Sequence, residues 1–139
     1  AGIMTNNSKW TWRTLTLLYL GALGYLCFAP QGAFPTVTNW NFFIPADKLV
    51  HFCMFAPLPV LLFMSFKREW NRVSQSYLAV LIIFLCGVLV AGSTEIIQGL
   101  SPCRSQELGD FIADSTGMAI SCLLLILYQK KTFEKSRTR

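Results

Sequence analysis

The sequence predicts an all-α fold: a polytopic membrane protein in which four transmembrane helices form a bundle and both termini are cytoplasmic. Hydrophobic residues make up 53% of the chain and charged residues 14%, and the mean hydropathy is positive. A soluble domain carries about a quarter charged residues, so this composition is typical of an integral membrane protein. A chain of 139 residues is long enough for one domain, and we expect residues 1–139 to form a single transmembrane domain.

Four apolar stretches, separated by short polar segments, define the predicted spans. They cover residues 10–28, 48–66, 75–100 and 106–128. A transmembrane helix needs about 17–25 residues, so each stretch is long enough to cross the bilayer. We expect Pro57 and Pro59 to kink the second span, because proline removes a backbone donor. The basic segment 130–139 has few apolar residues and is predicted to be a flexible tail.

The basic residues lie mainly on one side of the predicted bundle. Ten of the twelve fall in the N-terminal segment, the loop after the second span or the C-terminal tail: Lys9, Arg13, Lys67, Arg68, Arg72, Lys130, Lys131, Lys135, Arg137 and Arg139. Lys48 and Arg104 lie on the opposite side. The positive-inside rule therefore places both termini in the cytoplasm. Because these residues form short clusters beside apolar spans, the net charge of +5 does not indicate a nucleic-acid partner.

The fourth span carries one polar stripe. Its members recur at spacings of 3, 4, 3 and 4, which places them on a single helical face: Glu107, Asp110, Asp114, Gly117 and Ser121. The last third of the third span adds Glu95 and Gln98, which also share a face because they are three residues apart. Charged side chains are costly in a membrane and are usually functional. Both faces are therefore expected to meet protein or a water-filled cleft.

The start of the second span completes this predicted cleft with Asp47, Lys48 and His51. All these groups fall at the same end of the bundle, opposite the basic side. At about 1.5 Å per helical residue, Glu95 and Asp114 lie roughly 8–10 Å inside the outer face. The sequence thus predicts an outward-facing polar cleft within the outer leaflet.

Such a cleft can support acid–base chemistry on an anionic substrate. Carboxylates held close together in a low dielectric repel, so one tends to stay protonated and the pair supplies both an acid and a base. His51 can act as a general acid or base near neutral pH, while Lys48 and Arg104 can hold a phosphate or carboxylate. Alternatively, His51 with two or three carboxylates can bind a divalent metal, although the sequence has no HExxH motif.

Each polar residue also has a purely structural interpretation. Arg104 can form a loop-to-helix salt bridge with Asp110 or Glu107. Glu95 and Gln98 can make hydrogen bonds between helices, and His51 can simply be bonded to a neighbour. Six ionisable groups at one end of a four-span bundle nevertheless favour a functional cleft over packing alone.

Short motifs follow one another along spans two to four. They read Asp47-Lys48-Leu49-Val50-His51-Phe52, then Ser93-Thr94-Glu95-Ile96-Ile97-Gln98, then Arg104 with Asp110 six residues later, then Ala113-Asp114 and Gly117. In this order, over residues 47–121, they resemble the VanZ-like family of small bacterial membrane proteins. The chain departs from the family at Asp114, where the family often has Asn, and at the pair Pro57 and Pro59.

The resemblance implies a multi-pass protein of the bacterial cytoplasmic (inner) membrane with a link to cell-envelope chemistry. The family is named after a protein connected with resistance to teicoplanin, a glycopeptide antibiotic that targets the bacterial cell wall. The resemblance does not imply a particular reaction, so the question of whether this protein is an enzyme stays open.

The sequence leaves two functional hypotheses. In the first, the cleft binds or modifies a lipid-linked or cell-wall substrate, with catalytic residues Glu95, Asp110, His51 and Asp114 and substrate-binding residues Lys48, Arg104, Gln98 and Asp47. In the second, the protein is a non-catalytic lipid-binding or accessory membrane protein. Proton-coupled transport is a weaker third, since no internal repeat is visible. The sequence names no cofactor and leaves oligomerisation open.

Overall fold

A computed structural model describes residues 6–28, 46–66, 73–100 and 108–139. Five helices make up almost all of these ranges: α1 (Asn6–Phe28), α2 (Ala46–Phe55), α3 (Pro57–Phe66), α4 (Val73–Leu100) and α5 (Leu108–Arg137). The described residues contain no strand, which confirms the predicted all-α class.

Three of the helical segments are long and apolar enough to cross a membrane. They are Lys48–Phe66, which joins α2 and α3, then Ser74–Leu100 and Leu108–Arg137. The first helix, α1, is not among them, because Arg13 and several threonine, tyrosine and tryptophan residues interrupt its leucines. The described residues therefore confirm a multi-pass helical membrane protein with three candidate spans, rather than the four predicted.

The second span is divided into two helices instead of being one kinked helix. Ala56 lies at the division, in a turn between α2 and α3, where its N–H donates to the carbonyl of Phe52 at 3.0 Å. Pro57 then occupies the first position of α3, where its missing N–H costs no helical hydrogen bond. The Ser121 hydroxyl of α5 donates to the carbonyl of Ala56, so the neighbouring helix supplies a donor at the division.

The helices pack around α5, which contacts both α2 and α4, while α1 packs mainly on α3. One apolar core lies between α1, α2, α3, α4 and α5, and its buried members are Leu23, Cys27, Phe55, Leu58, Ala91 and Met118. A second core lies towards the other end of α3, α4 and α5, and comprises Phe63, Val80, Cys122 and Leu125. The first core thus packs the end of α2 against the middle of α5, and the second packs α3 against α4 and α5.

Gly117 marks a close approach of α5 to α2. A Cβ atom added at this position would lie only 2.5 Å from the carbonyl oxygen of Phe52. Small residues permit this kind of contact between membrane helices. The approach fixes the backbone of α2 beside α5 one turn from Asp114.

Polar contacts also attach α1 to the bundle. The Arg13 Nε donates to the carbonyl of Ser65 at 3.2 Å, and the hydroxyls of Thr16 and Ser65 lie 2.7 Å apart. Away from these contacts the surface of α1 is apolar, with Leu18 exposed by 67%. Leu89 of α4 and Leu127 of α5 are exposed to a similar extent, and such a surface suits a lipid environment.

The C-terminal basic segment differs from the prediction. Helix α5 continues to Arg137, so most of the segment predicted to be a flexible tail is helical. Its Lys, Arg and Glu residues are good helix formers, and Lys135 and Arg137 lie in the last turn, where positive charge favours the helix dipole. The low apolar content of this segment therefore did not prevent it from forming a helix.

Candidate functional site

The first turns of α2 and α5 are joined by an ion pair. The Lys48 Nζ lies 2.5 Å from the Asp110 Oδ1, and the two side chains are 21% and 13% exposed. The stem of Lys48 crosses Gly109, where an added Cβ would lie 2.8 Å from its Cε. The lysine is thus held along α5 with its charge directed at Asp110.

His51, one turn further along α2, lies between two carboxylates of α5. Its Nδ1 is 2.9 Å from the Asp114 Oδ1, and its Nε2 is 3.3 Å from the Asp110 Oδ2. Lys48 and His51 share a face of α2, as Asp110 and Asp114 share a face of α5, because their spacings are three and four residues. The contacts therefore form a continuous polar ladder, Lys48–Asp110–His51–Asp114.

Asp114 is the deepest member of this polar ladder and is fully buried. Its Oδ1 faces His51, whereas its Oδ2 has no hydrogen-bond partner among the described residues. A buried carboxylate oxygen without a partner loses its hydration without compensation. This oxygen is the sharpest indication that the site is built for something beyond its own contacts.

Glu95 brings a third helix, α4, to the same place. It is 3% exposed, although it is an acid within an otherwise apolar span. His51, Glu95 and Asp114 each offer one possible ligand atom, and these atoms all lie within 4.8 Å of one another. Three helices thus converge on one imidazole and two carboxylates at the end of the bundle.

The remaining predicted site residues fall outside this cluster or outside the described residues. The Gln98 side chain is buried and its Nε2 donates to the carbonyl of Cys27 in α1, which is a hydrogen bond between helices rather than a contact in the ladder. Two of the predicted residues, Arg104 and Glu107, lie outside the described residues. The side chain of Asp47 is also outside them.

The residues of the polar stripe on α5 make two kinds of contact. Asp110 and Asp114 enter the ladder, whereas Gly117 and Ser121 contact the backbone of the second span at Phe52 and Ala56. The pairing of Lys48 with Asp110 was not predicted, because the sequence favoured substrate binding for Lys48 and acid–base catalysis for Asp110. The signal was present in the complementary signs and spacings of the two helices.

The family assignment follows from comparison with known proteins. A model of the family described as VanZ/LLP1 matches residues 15–129, which include every residue of the ladder and Glu95. The chain belongs to the VanZ/LLP1 family. This confirms the resemblance seen in the motifs, and it suggests a cell-envelope membrane protein.

Among curated proteins, this VanZ/LLP1 chain is similar to an uncharacterized protein of the fission yeast Schizosaccharomyces pombe. The two are 33% identical over 123 residues, which are 88% of this chain and 66% of the relative. The name of that relative states no activity. No solved structure matches the chain at a significant level.

Proposed function

We propose that this VanZ/LLP1 protein binds or modifies a lipid-linked or cell-wall substrate in an outward-facing cleft of the cytoplasmic membrane. The observation that carries the proposal is the ladder, whose ionisable groups are partly or fully buried, together with the buried Glu95. Ionisable groups within a membrane protein are costly and are kept where they act on ions, protons or substrates. The family assignment supports an envelope role, and a link to teicoplanin susceptibility is part of the proposal.

The proposed topology has four spans in one domain, with both termini in the cytoplasm. Helix α1 supplies the fourth span, since its 23 residues extend about 34 Å, and its exposed leucines can face lipid. The positive charge around both termini favours this orientation. The ladder then opens towards the outside of the cell, where envelope precursors are used.

In the catalytic form of the proposal, the polar ladder transfers protons. His51 is positioned by Asp114 and is the central acid or base, as an imidazole held by a carboxylate is elsewhere. Glu95 and Asp110 act as the second acid–base pair. Lys48 and Arg104, supported by Asp47, attract the anionic head of the substrate.

Turnover by the purified protein in liposomes tests this proposal. The liposomes contain a polyprenyl-phosphate-linked cell-wall precursor, and its products are followed by mass spectrometry. We expect Glu95→Gln and Asp110→Asn to lower the rate by about 10²–10⁴-fold, the usual contribution of a positioned acid or base. Glu134→Gln, an exposed change near the other end of α5, is the matched control and is expected to keep full activity.

Two other outcomes separate the alternatives. Lipid that copurifies with the protein and is released unchanged, with no product, supports the non-catalytic lipid-binding function. Full turnover in both Glu95→Gln and Asp110→Asn shows that the catalytic form of the proposal is wrong.

A further inference from the structure

We infer that His51, Glu95 and Asp114 bind one divalent transition-metal ion of the Zn²⁺ or Mn²⁺ class. Each residue comes from a different helix, and their possible ligand atoms lie within 4.8 Å of one another. The site goes beyond the proposed function, since metal binding stands on this geometry alone. Only the use of the ion on an envelope substrate rests on the proposed function.

The distance between His51 and Asp114 suits two ligands of one ion. Nitrogen and oxygen ligands at about 2.0–2.2 Å from a metal lie roughly 2.8–3.6 Å apart when they are neighbours. His51 Nδ1 and Asp114 Oδ1 are separated by 2.9 Å. The same two atoms can therefore share a proton or share a metal without movement of either helix.

The buried Oδ2 of Asp114 is an independent indication. It has no hydrogen-bond partner among the described residues, and the residue is fully buried. A cation bound at Asp114 would compensate the lost hydration of this carboxylate, which the contact with His51 satisfies only at Oδ1.

The ladder also contains the outer contacts that metal sites use. A histidine ligand usually donates its second ring N–H to a carboxylate, which fixes the orientation of the imidazole. Here the Nε2 of His51 faces the Asp110 Oδ2, and the other oxygen of Asp110 is held by Lys48. Lys48–Asp110–His51 is therefore a chain that orients Nδ1 towards Asp114.

The donor set selects the class of ion. One imidazole favours zinc and other transition metals, two carboxylates favour manganese and magnesium, and calcium prefers six to eight oxygen ligands. Zn²⁺ and Mn²⁺ accept both ligand types. Three protein ligands leave at least one coordination position open, as in catalytic zinc sites, and that position can accept water or the anionic head of a substrate.

Metal binding by the purified full-length protein tests the inference without any assay of activity. The protein carries no histidine tag, is stripped with a chelator, and is titrated separately with ZnCl₂, MnCl₂ and CaCl₂. We expect one Zn²⁺ or Mn²⁺ per chain, and Ca²⁺ at least tenfold weaker. Asp114→Asn and Glu95→Gln should each weaken binding by at least tenfold. Asp110→Asn should weaken it by about 10–100-fold, because it removes only an outer contact.

Two controls address thiols and folding. Cys53→Ser with Cys86→Ser removes the two thiols that are exposed among the described residues and should leave the stoichiometry unchanged. Pulsed electron paramagnetic resonance of bound Mn²⁺ needs no variant at all. The chain has a single histidine, so ¹⁴N coupling from one imidazole identifies His51 as a ligand in the unmodified protein.

Three results would overturn the inference. They are the absence of stoichiometric Zn²⁺ and Mn²⁺ binding, binding that is unchanged in well-folded Asp114→Asn, and bound Mn²⁺ without imidazole coupling. If metal binds as expected while no envelope lipid is turned over, the site stands and the proposed function does not. Turnover by a protein that binds no metal would show the reverse.

Discussion

At the scale of single residues, the ladder depends on each charge having its partner. Lys48 and Asp110 are only partly exposed, so each lies in a region where an isolated charge is poorly solvated. Asp110 also faces His51 at 3.3 Å, which makes it the residue that connects the surface end of the ladder to the buried end. Loss of either partner is therefore expected to cost more than loss of both.

A double-mutant cycle on Lys48→Met and Asp110→Asn checks this expectation. Each single change should lower the free energy of unfolding, because it leaves the other charge without its partner at the membrane interface. The double variant should recover part of the loss, with a coupling energy of about 0.5–3 kcal/mol. Unfolding is measured in lipid bicelles. Lys48→Met combined with Glu134→Gln is the matched control and should be additive, and additivity in the Lys48/Asp110 cycle would show that the pair contributes nothing.

At the scale of elements, the site is positioned by the contact between α2 and α5. The chain divides at Ala56–Pro57, α2 ends there, and its last turns lie against Gly117 and Ser121 of α5. His51 lies one turn before Phe55 on the same short helix. Any change that moves α2 away from α5 should therefore separate His51 from Asp114.

Gly117→Ala tests this coupling between packing and site. The added methyl would meet the carbonyl oxygen of Phe52, which is backbone and cannot rotate away. We expect a loss of about 1–3 kcal/mol in the free energy of unfolding, as for other overpacked contacts, together with weaker metal binding. Gly21→Ala in α1 is the matched control, because an added Cβ there has no atom within 4 Å. Equal stability of Gly117→Ala and the wild type would contradict the close packing.

At the scale of the whole molecule, the sequence was sufficient to predict the helical class and the end of the bundle at which polar residues meet. Hydropathy locates long spans, and the spacing of Asp110 and Asp114 defines a face whatever the neighbours are. The hydrogen-bond and ion-pair partners of individual side chains were harder to predict, because they depend on how the helices are rotated against each other. Gln98 bonding to the carbonyl of Cys27 is such a case. The interruption of the second span by Pro57 and Pro59 was expected, whereas local composition did not show that α5 would run to Arg137.

The number of spans is a property of the whole molecule, and it decides on which side of the membrane the N-terminus lies. Three spans place the termini on opposite sides of the membrane, whereas four place them on the same side. We expect α1 to cross, so that the same fluorescent reporter, which matures only in the cytoplasm, is bright when fused to either end. A fusion after Leu100, at the end of α4, should be dark and serves as the control. If only the C-terminal fusion is bright, α1 lies along the membrane surface and the four-span topology is wrong. The ladder keeps its outward orientation in that case, because the C-terminus still follows α5 into the cytoplasm.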